Sequence, residues 1–100
     1  INDNRLLDGF ESRIYKFNLF TPDTANHNGF TINLSEMTCS SRLNYEVIIL
    51  EKTKIIYDKT FDKEIILKVK AKQNDEYKVA IINKIDKKLK YSIQINTYHK

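Results

Sequence analysis

In Leu89-Lys90-Tyr91-Ser92-Ile93-Gln94-Ile95-Asn96 every second side chain is apolar. Successive side chains of a strand point to opposite faces, so this pattern lays Leu89, Tyr91, Ile93 and Ile95 on one side and leaves the polar residues to solvent; a helix would scatter them. The same period runs through Tyr15, Phe17 and Leu19 against Lys16 and Asn18, and through Phe30, Ile32 and Leu34 against Thr31 and Asn33. A further row, Ile65, Leu67, Val69 and Ala71, alternates with Lys68 and Lys70.

Two segments differ. Tyr45 to Leu50 and Glu76 to Asn83 carry apolar residues in both registers, as strands do when they lie centrally or are covered on both sides. Lys54 to Tyr57 reads as a shorter strand near a sheet edge, where lysine discourages pairing with another chain. The polar stretches 58–62, 72–75 and 83–88 have hairpin length, whereas 21–29 and 35–44 read as longer loops. Thr21-Pro22-Asp23 and Asn28-Gly29 mark the first of these as turn-rich, because Pro presets one dihedral and Gly accepts positive φ. Ser35 to Leu43 admits a helical turn capped by Ser35, but Thr38-Cys39-Ser40-Ser41 favours a loop. About seven strands and the abundance of Ile, Tyr, Val, Phe and Thr predict an all-β antiparallel sandwich, jelly-roll-like, in a single domain over residues 1–100, with 1–8 as a linker.

Composition sets the outer bounds. With 41% apolar and 30% charged residues the chain lies within the globular range, and 100 residues suit one core. The longest apolar run, Val47-Ile48-Ile49-Leu50, is far short of the roughly 20 residues that a membrane helix needs. The sequence opens at Ile1 without a charged-then-apolar leader. Its Lys, Ile and Asn bias is that of an AT-rich genome.

Catalytic and metal-binding signals are sparse. Cys39 is the sole cysteine, which excludes an intramolecular disulfide and a multi-thiolate zinc site. His27 falls in the 21–29 loop and His99 in the C-terminal tail, neither with a ligand at i+2 or i+4, and a Cys39–His27 nucleophile pair has no support in the spacing. Asp3, Asp8, Glu11 and Asp23 lack the dense Asp-x-Asp pattern of a calcium loop and read as a solvated leader. Asn33-Leu34-Ser35 has the form of a glycosylation acceptor, but within a strand. No catalytic residue, cofactor or metal is expected, and no Gly-rich phosphate loop or nucleophile elbow is found.

Binding signals are more informative. Residues 1–50 hold four basic and six acidic side chains, and residues 51–100 hold thirteen and seven. The excess is nearly all Lys, which suits an anionic surface or polysaccharide better than nucleic acid, where the bidentate Arg fork is the stronger phosphate reader. Lys68, Lys70 and Lys90 sit at outward strand positions, which is first of all what a solvated sheet face requires, with an anion-binding site as the alternative. Among the aromatics, Tyr15, Phe17, Phe30, Tyr45, Tyr77 and Tyr91 occupy inward rows, whereas Phe20, Tyr57 and Tyr98 break the alternation or end strands and are the candidate contact residues.

The segment order resembles a family. Leu6-Leu7-Asp8-Gly9, then Ile14-Tyr15-Lys16-Phe17-Asn18-Leu19, Phe30 to Leu34, Tyr45 to Leu50, Glu76-Tyr77-Lys78-Val79-Ala80-Ile81 and Tyr91 to Ile95 are similar to the successive strands of bacterial pre-peptidase C-terminal domains, across nearly the whole chain. Glu76 stands where that family has Gly, and the acidic cluster of its calcium-binding members is absent. The resemblance, to a family of accessory domains of secreted proteases, implies a non-catalytic accessory module of a larger secreted protein such as a protease, with a protein partner or parent catalytic domain and an extracellular or compartment-luminal setting. Tyr77 through Asn83 also resembles the near-terminal segment of Golgi-dynamics sandwiches, which implies a trafficking or lipid-associated adaptor. A structural subunit packing on a partner chain is the third reading.

Overall fold

A computed structural model describes residues 1–19, 28–71 and 75–99. Its strands are β1 (Asn2–Leu7), β2 (Ser12–Leu19), β3 (Asn28–Cys39), β4 (Tyr45–Glu51), β5 (Lys54–Phe61), β6 (Ile65–Ala71), β7 (Asp75–Asn83) and β8 (Leu89–His99), with no helix among the described residues. All pairings are antiparallel, in two sheets of order β1-β8-β3-β6 (sheet A) and β2-β7-β4-β5 (sheet B).

The pairings β1:β8, β2:β7, β3:β6 and β4:β5 show the plan. The chain's first half pairs with its second half as one long hairpin, turning at Lys52-Thr53, and that ribbon is rolled so that alternate segments fall in opposite sheets. This is the eight-stranded jelly roll, a form of the expected sandwich. Between the sheets, Leu7, Phe30, Ile32, Leu34, Leu89, Tyr91, Ile93 and Ile95 from sheet A meet Tyr15, Leu19, Tyr45, Val47, Ile49, Tyr77, Val79 and Ile81 from sheet B, all buried. Phe17 and Tyr77 reach across to Phe30, with ring centroids 4.9 and 5.2 Å away, within the range of favourable aromatic pairs. The buried tyrosines reach polar partners with their hydroxyls: Tyr45 donates to the Lys63 carbonyl (2.6 Å) and Tyr77 to Glu51 Oε2 (2.9 Å).

Three expectations are corrected. Residues 2–7, read as part of a linker, form β1; its polar Asn2-Asp3-Asn4-Arg5 hid it, because an edge strand held by main-chain pairing to β8 needs only Leu7 in the core. The 35–44 loop shrinks, because β3 continues to Cys39 through a bulge between Ser35 and Thr38, where Glu36 takes φ 51°. Strand β5 runs on to Phe61, so the link to β6 is residues 62–64. As expected, β4 and β7 are the central strands of sheet B and Lys54 begins its edge strand.

At one end of the sandwich the β1–β2 and β7–β8 connections meet on Asn83, the one buried polar residue among those described. Its Nδ2 donates to the carbonyls of Asp8 (3.0 Å) and Lys87 (2.6 Å), and its Oδ1 accepts from the Ile85 amide (3.2 Å).

Candidate functional site

Strands β5 and β6 end their respective sheets on the same side of the sandwich. Between them runs a groove of about 390 Å³ lined by Glu51, Lys54, Ile56, Tyr57, Leu67, Lys68, Val69 and Lys70. Alternation places Leu67 and Val69 toward the interior and Lys68 and Lys70 outside, while the register shift opposite Ile49/Leu50 gives β5 one extra residue, Ile56, which joins the lining. Leu67, Val69 and Tyr57 are only partly buried and pack on the outer margin of the core, so the groove has an apolar floor and lysine walls.

Tyr98 lies beside this groove on sheet A. It is opposite Gly29, and a Cβ at that glycine would stand 2.6 Å from the Tyr98 hydroxyl and overlap the Val69 carbonyl. The ring thus covers the glycine, its hydroxyl donates to the Val69 carbonyl (3.3 Å), and Lys68 Nζ sits 4.9 Å from its centroid, in cation–π range. The fold therefore gathers Tyr57, Lys68, Lys70 and Tyr98, four of the predicted contact residues. Lys90 is elsewhere, in a depression with Leu6, Cys39 and Lys88, and Phe20 lies outside the described residues.

The other sequence candidates disperse. His27 and Asp23 lie outside the described residues, as does the His99 side chain. Cys39 Sγ is 4.0 Å from Ser41 Oγ. Asp8 and Glu11 close the β1–β2 turn on each other, the Asp8 amide donating to Glu11 Oε1 (3.2 Å). Among the described residues no three His, Cys, Asp or Glu side chains are grouped to hold a metal ion.

Asp3 instead accepts from Arg5 Nε (2.8 Å) and the Tyr15 hydroxyl (2.7 Å), and Tyr15 is 2.8 Å from the Tyr91 hydroxyl. Since Tyr15 spends its proton on Asp3, Tyr91 is the donor to Tyr15. Burial opposes the Asp3 charge, but the hydrogen bonds from Tyr15 and Arg5 and the attraction of Arg5 and Arg13 together hold its carboxyl below the usual range. Burial pushes the Tyr15 phenol far up, reinforced by Tyr91 and Asp3, and raises Tyr91 as well. Such phenols stay protonated near neutral pH and serve as hydrogen-bonding struts.

Site prediction missed the solvent face of sheet B. The cross-strand row Ile14–Ala80–Ile48 spans three strands, Ile82 adjoins it, and on the other side Leu50 faces Ile55. Ile14 and Ile55 are 60% and 56% exposed. Charged groups rim this strip: Lys16 and Lys78 on Glu76 at 3.3 and 3.8 Å, and Lys84 on Glu46 at 3.6 Å. The Glu46 carboxyl is raised, first by a hydrogen bond with Asp58. The signal was present in the apolar residues on both faces of β4 and β7. Phe10, 66% exposed at φ 61°, was also missed, because nothing in Asp8-Gly9-Phe10-Glu11 shows that the phenylalanine takes the left-handed conformation.

Comparison with known protein families and with curated proteins finds no match for this chain.

Proposed function

We propose that this domain is a non-catalytic accessory module of a larger extracellular or compartment-luminal protein, packed through the solvent face of sheet B against a neighbouring domain of the same polypeptide. The apolar strip of Ile14, Ile48, Leu50, Ile55, Ala80 and Ile82 carries this reading. Covering what Ile14 and Ile55 alone still expose contributes about 5 kcal/mol at the usual apolar burial coefficient. Association of free partners costs about 4–15 kcal/mol in lost freedom, so this surface is marginal for capturing a free protein and sufficient for a tethered one, whose effective concentration is high. The strand-by-strand resemblance to pre-peptidase C-terminal domains, accessory modules by rule, supports the same reading.

The test compares the 100-residue chain with the parent protein. Ile14→Lys with Ile55→Lys is expected to leave the isolated domain within about 0.5 kcal/mol of its original stability, as surface changes do. In the parent the same pair lowers the melting temperature of the docked assembly and increases protease cleavage between the domains. An unaffected parent would sink the docking argument. Turnover of a peptide or ester by the isolated chain, abolished by Cys39→Ala or His27→Ala, would sink the non-catalytic one.

A second reading, a trafficking or lipid-associated adaptor, draws on Lys54, Lys68 and Lys70, which form no ion pair with another described residue. Salt-sensitive binding to anionic liposomes, reduced by Lys→Glu changes at Lys68, Lys70 and Lys90, would favour it over the accessory role.

A further inference from the structure

We propose that the β5–β6 groove is a binding site for an extended peptide segment with alternating apolar and acidic side chains, which adds to sheet A as a fifth strand along β6. This site is distinct from the sheet B face and does not depend on it.

The backbone geometry makes the addition possible. Strand β6 pairs only with β3 among the described residues. The Val69 carbonyl is turned toward β3, where it lies against Gly29 and accepts from Tyr98. Main-chain groups of successive strand residues point to opposite edges, so the N–H and C=O groups of Lys68 and Lys70 face the open side. A peptide strand laid there satisfies them, and main-chain pairing of this kind supplies affinity while alternate side-chain pockets supply selection.

The side chains then specify the peptide. Residues beside Leu67 and Val69 point into the groove, against Ile56 and Tyr57, and the volume of about 390 Å³ holds the apolar side chains of a short segment. The alternate residues stand beside Lys68 and Lys70 on the outer face of sheet A. Lys68 and Lys70 are two positions apart on one face, the spacing of acidic residues at i and i+2 in an added strand. Lys54 supplies a third positive charge on the opposite wall, against the single Glu51, whose carboxylate already accepts from Tyr77. Lys68 is pre-positioned by the Tyr98 ring.

Charge also selects among occupants. A second copy pairing edge to edge through β6 would bring its own Lys68 and Lys70 against these lysines, and like charges across a strand pair are unfavourable. The open edge therefore rejects its own kind and accepts an acidic strand, a repulsive element of the sort that gives interfaces selectivity.

The experiment uses the 100-residue chain, isotopically labelled, and a blocked seven-residue peptide alternating Glu with Val, with a second peptide in which Lys replaces Glu. Titration followed by amide shifts and hydrogen exchange is expected to show slowed exchange at the Lys68 and Lys70 amides with the Glu peptide only. Lys68→Glu with Lys70→Glu is expected to weaken that binding on the order of tenfold, because each cross-strand charge pair changes sign, and to confer binding of the Lys peptide. Three results overturn the proposal: shifts that map away from β6, binding without slowed exchange at Lys68 and Lys70, or a charge swap that fails to transfer preference. Equal binding of heparin or anionic vesicles with slowed exchange at neither amide would likewise overturn it, by assigning the lysines to a diffuse anion surface.

Discussion

Removing the Asn83 side chain should be among the most damaging single changes outside the apolar core. The residue is 1% exposed and makes three side-chain hydrogen bonds, to the carbonyls of Asp8 and Lys87 and from the amide of Ile85. Asn83→Ala deletes all three at once and leaves their main-chain partners without them. The net worth of one such bond is about 1 kcal/mol, and an unsatisfied buried group costs about 1–3 kcal/mol. Lys87 is exposed, so water can replace the bond to its carbonyl, and the loss is dominated by the other two. The expected cost is therefore about 3 kcal/mol. For a 60–100-residue domain each kcal/mol moves the melting temperature by about 4–8 °C, which predicts a fall of roughly 12–24 °C.

Thermal melts by circular dichroism would measure the loss. Asn83→Asp is the informative companion: it keeps the acceptor for Ile85 but sets a carboxylate against the Asp8 and Lys87 carbonyls, so it should cost at least as much as alanine near neutral pH and recover on acidification. The reasoning fails if Asn83→Ala costs under about 0.5 kcal/mol, the ordinary size of a surface substitution. It also fails if Asn83→Asp proves benign at pH 7.

Raised tyrosines give an alkaline limit: Tyr15, Tyr45 and Tyr91 keep their protons in the fold after the unfolded chain begins to lose them near pH 10. Their stabilisation is complete below that pH and declines above it, by about 1.4 kcal/mol per pH unit for each tyrosine, and Tyr91→Phe should flatten the decline seen in urea titrations between pH 9 and 11. A slope unchanged by the substitution would count against the cause. Gly29→Ala should cost about 3 kcal/mol or more, since its Cβ would overlap the Val69 carbonyl and crowd Tyr98, and the amide shifts should move along β6 first. Phe10→Gly should raise stability by about 0.5–1 kcal/mol, because the left-handed φ of 61° is strained for phenylalanine and its exposed ring forfeits little packing; a lower melting temperature would show that the ring packs more than its exposure indicates.

How much of this was legible follows from what each element relies on. Strands β2 and β8 were plain because one face of each is apolar and the other polar along most of its length. Strand β1 was not, because main-chain pairing to β8 fixes it and no side-chain pattern records a main-chain bond. The bulge at Glu36 was equally silent, since no glycine marks its positive φ. Asn83 looks in sequence like any polar residue at a strand end, and its role appears only when the 8–11 and 83–88 segments are brought together. The candidate contact residues could be named singly, but that Tyr57, Lys68, Lys70 and Tyr98 share one margin depends on β5 and β6 ending their sheets on the same side.

The two solvent faces carry the last step. Along the middle of the central strands of sheet A, between Lys90 and Tyr98 of β8, the outward residues are Thr31, Asn33, Ser35, Ser92, Gln94 and Asn96, uncharged hydrogen-bonding groups. The corresponding positions of sheet B are Ile48, Leu50, Ala80 and Ile82 beside Glu46 and Lys78. Alternation gives every strand two faces, and of the two outer faces that of sheet B is the more apolar, which is the asymmetry the proposed docking draws on. On the proposed docking, sheet B would turn toward the neighbouring domain and leave sheet A and its β6 edge in solvent, where an incoming strand can reach it.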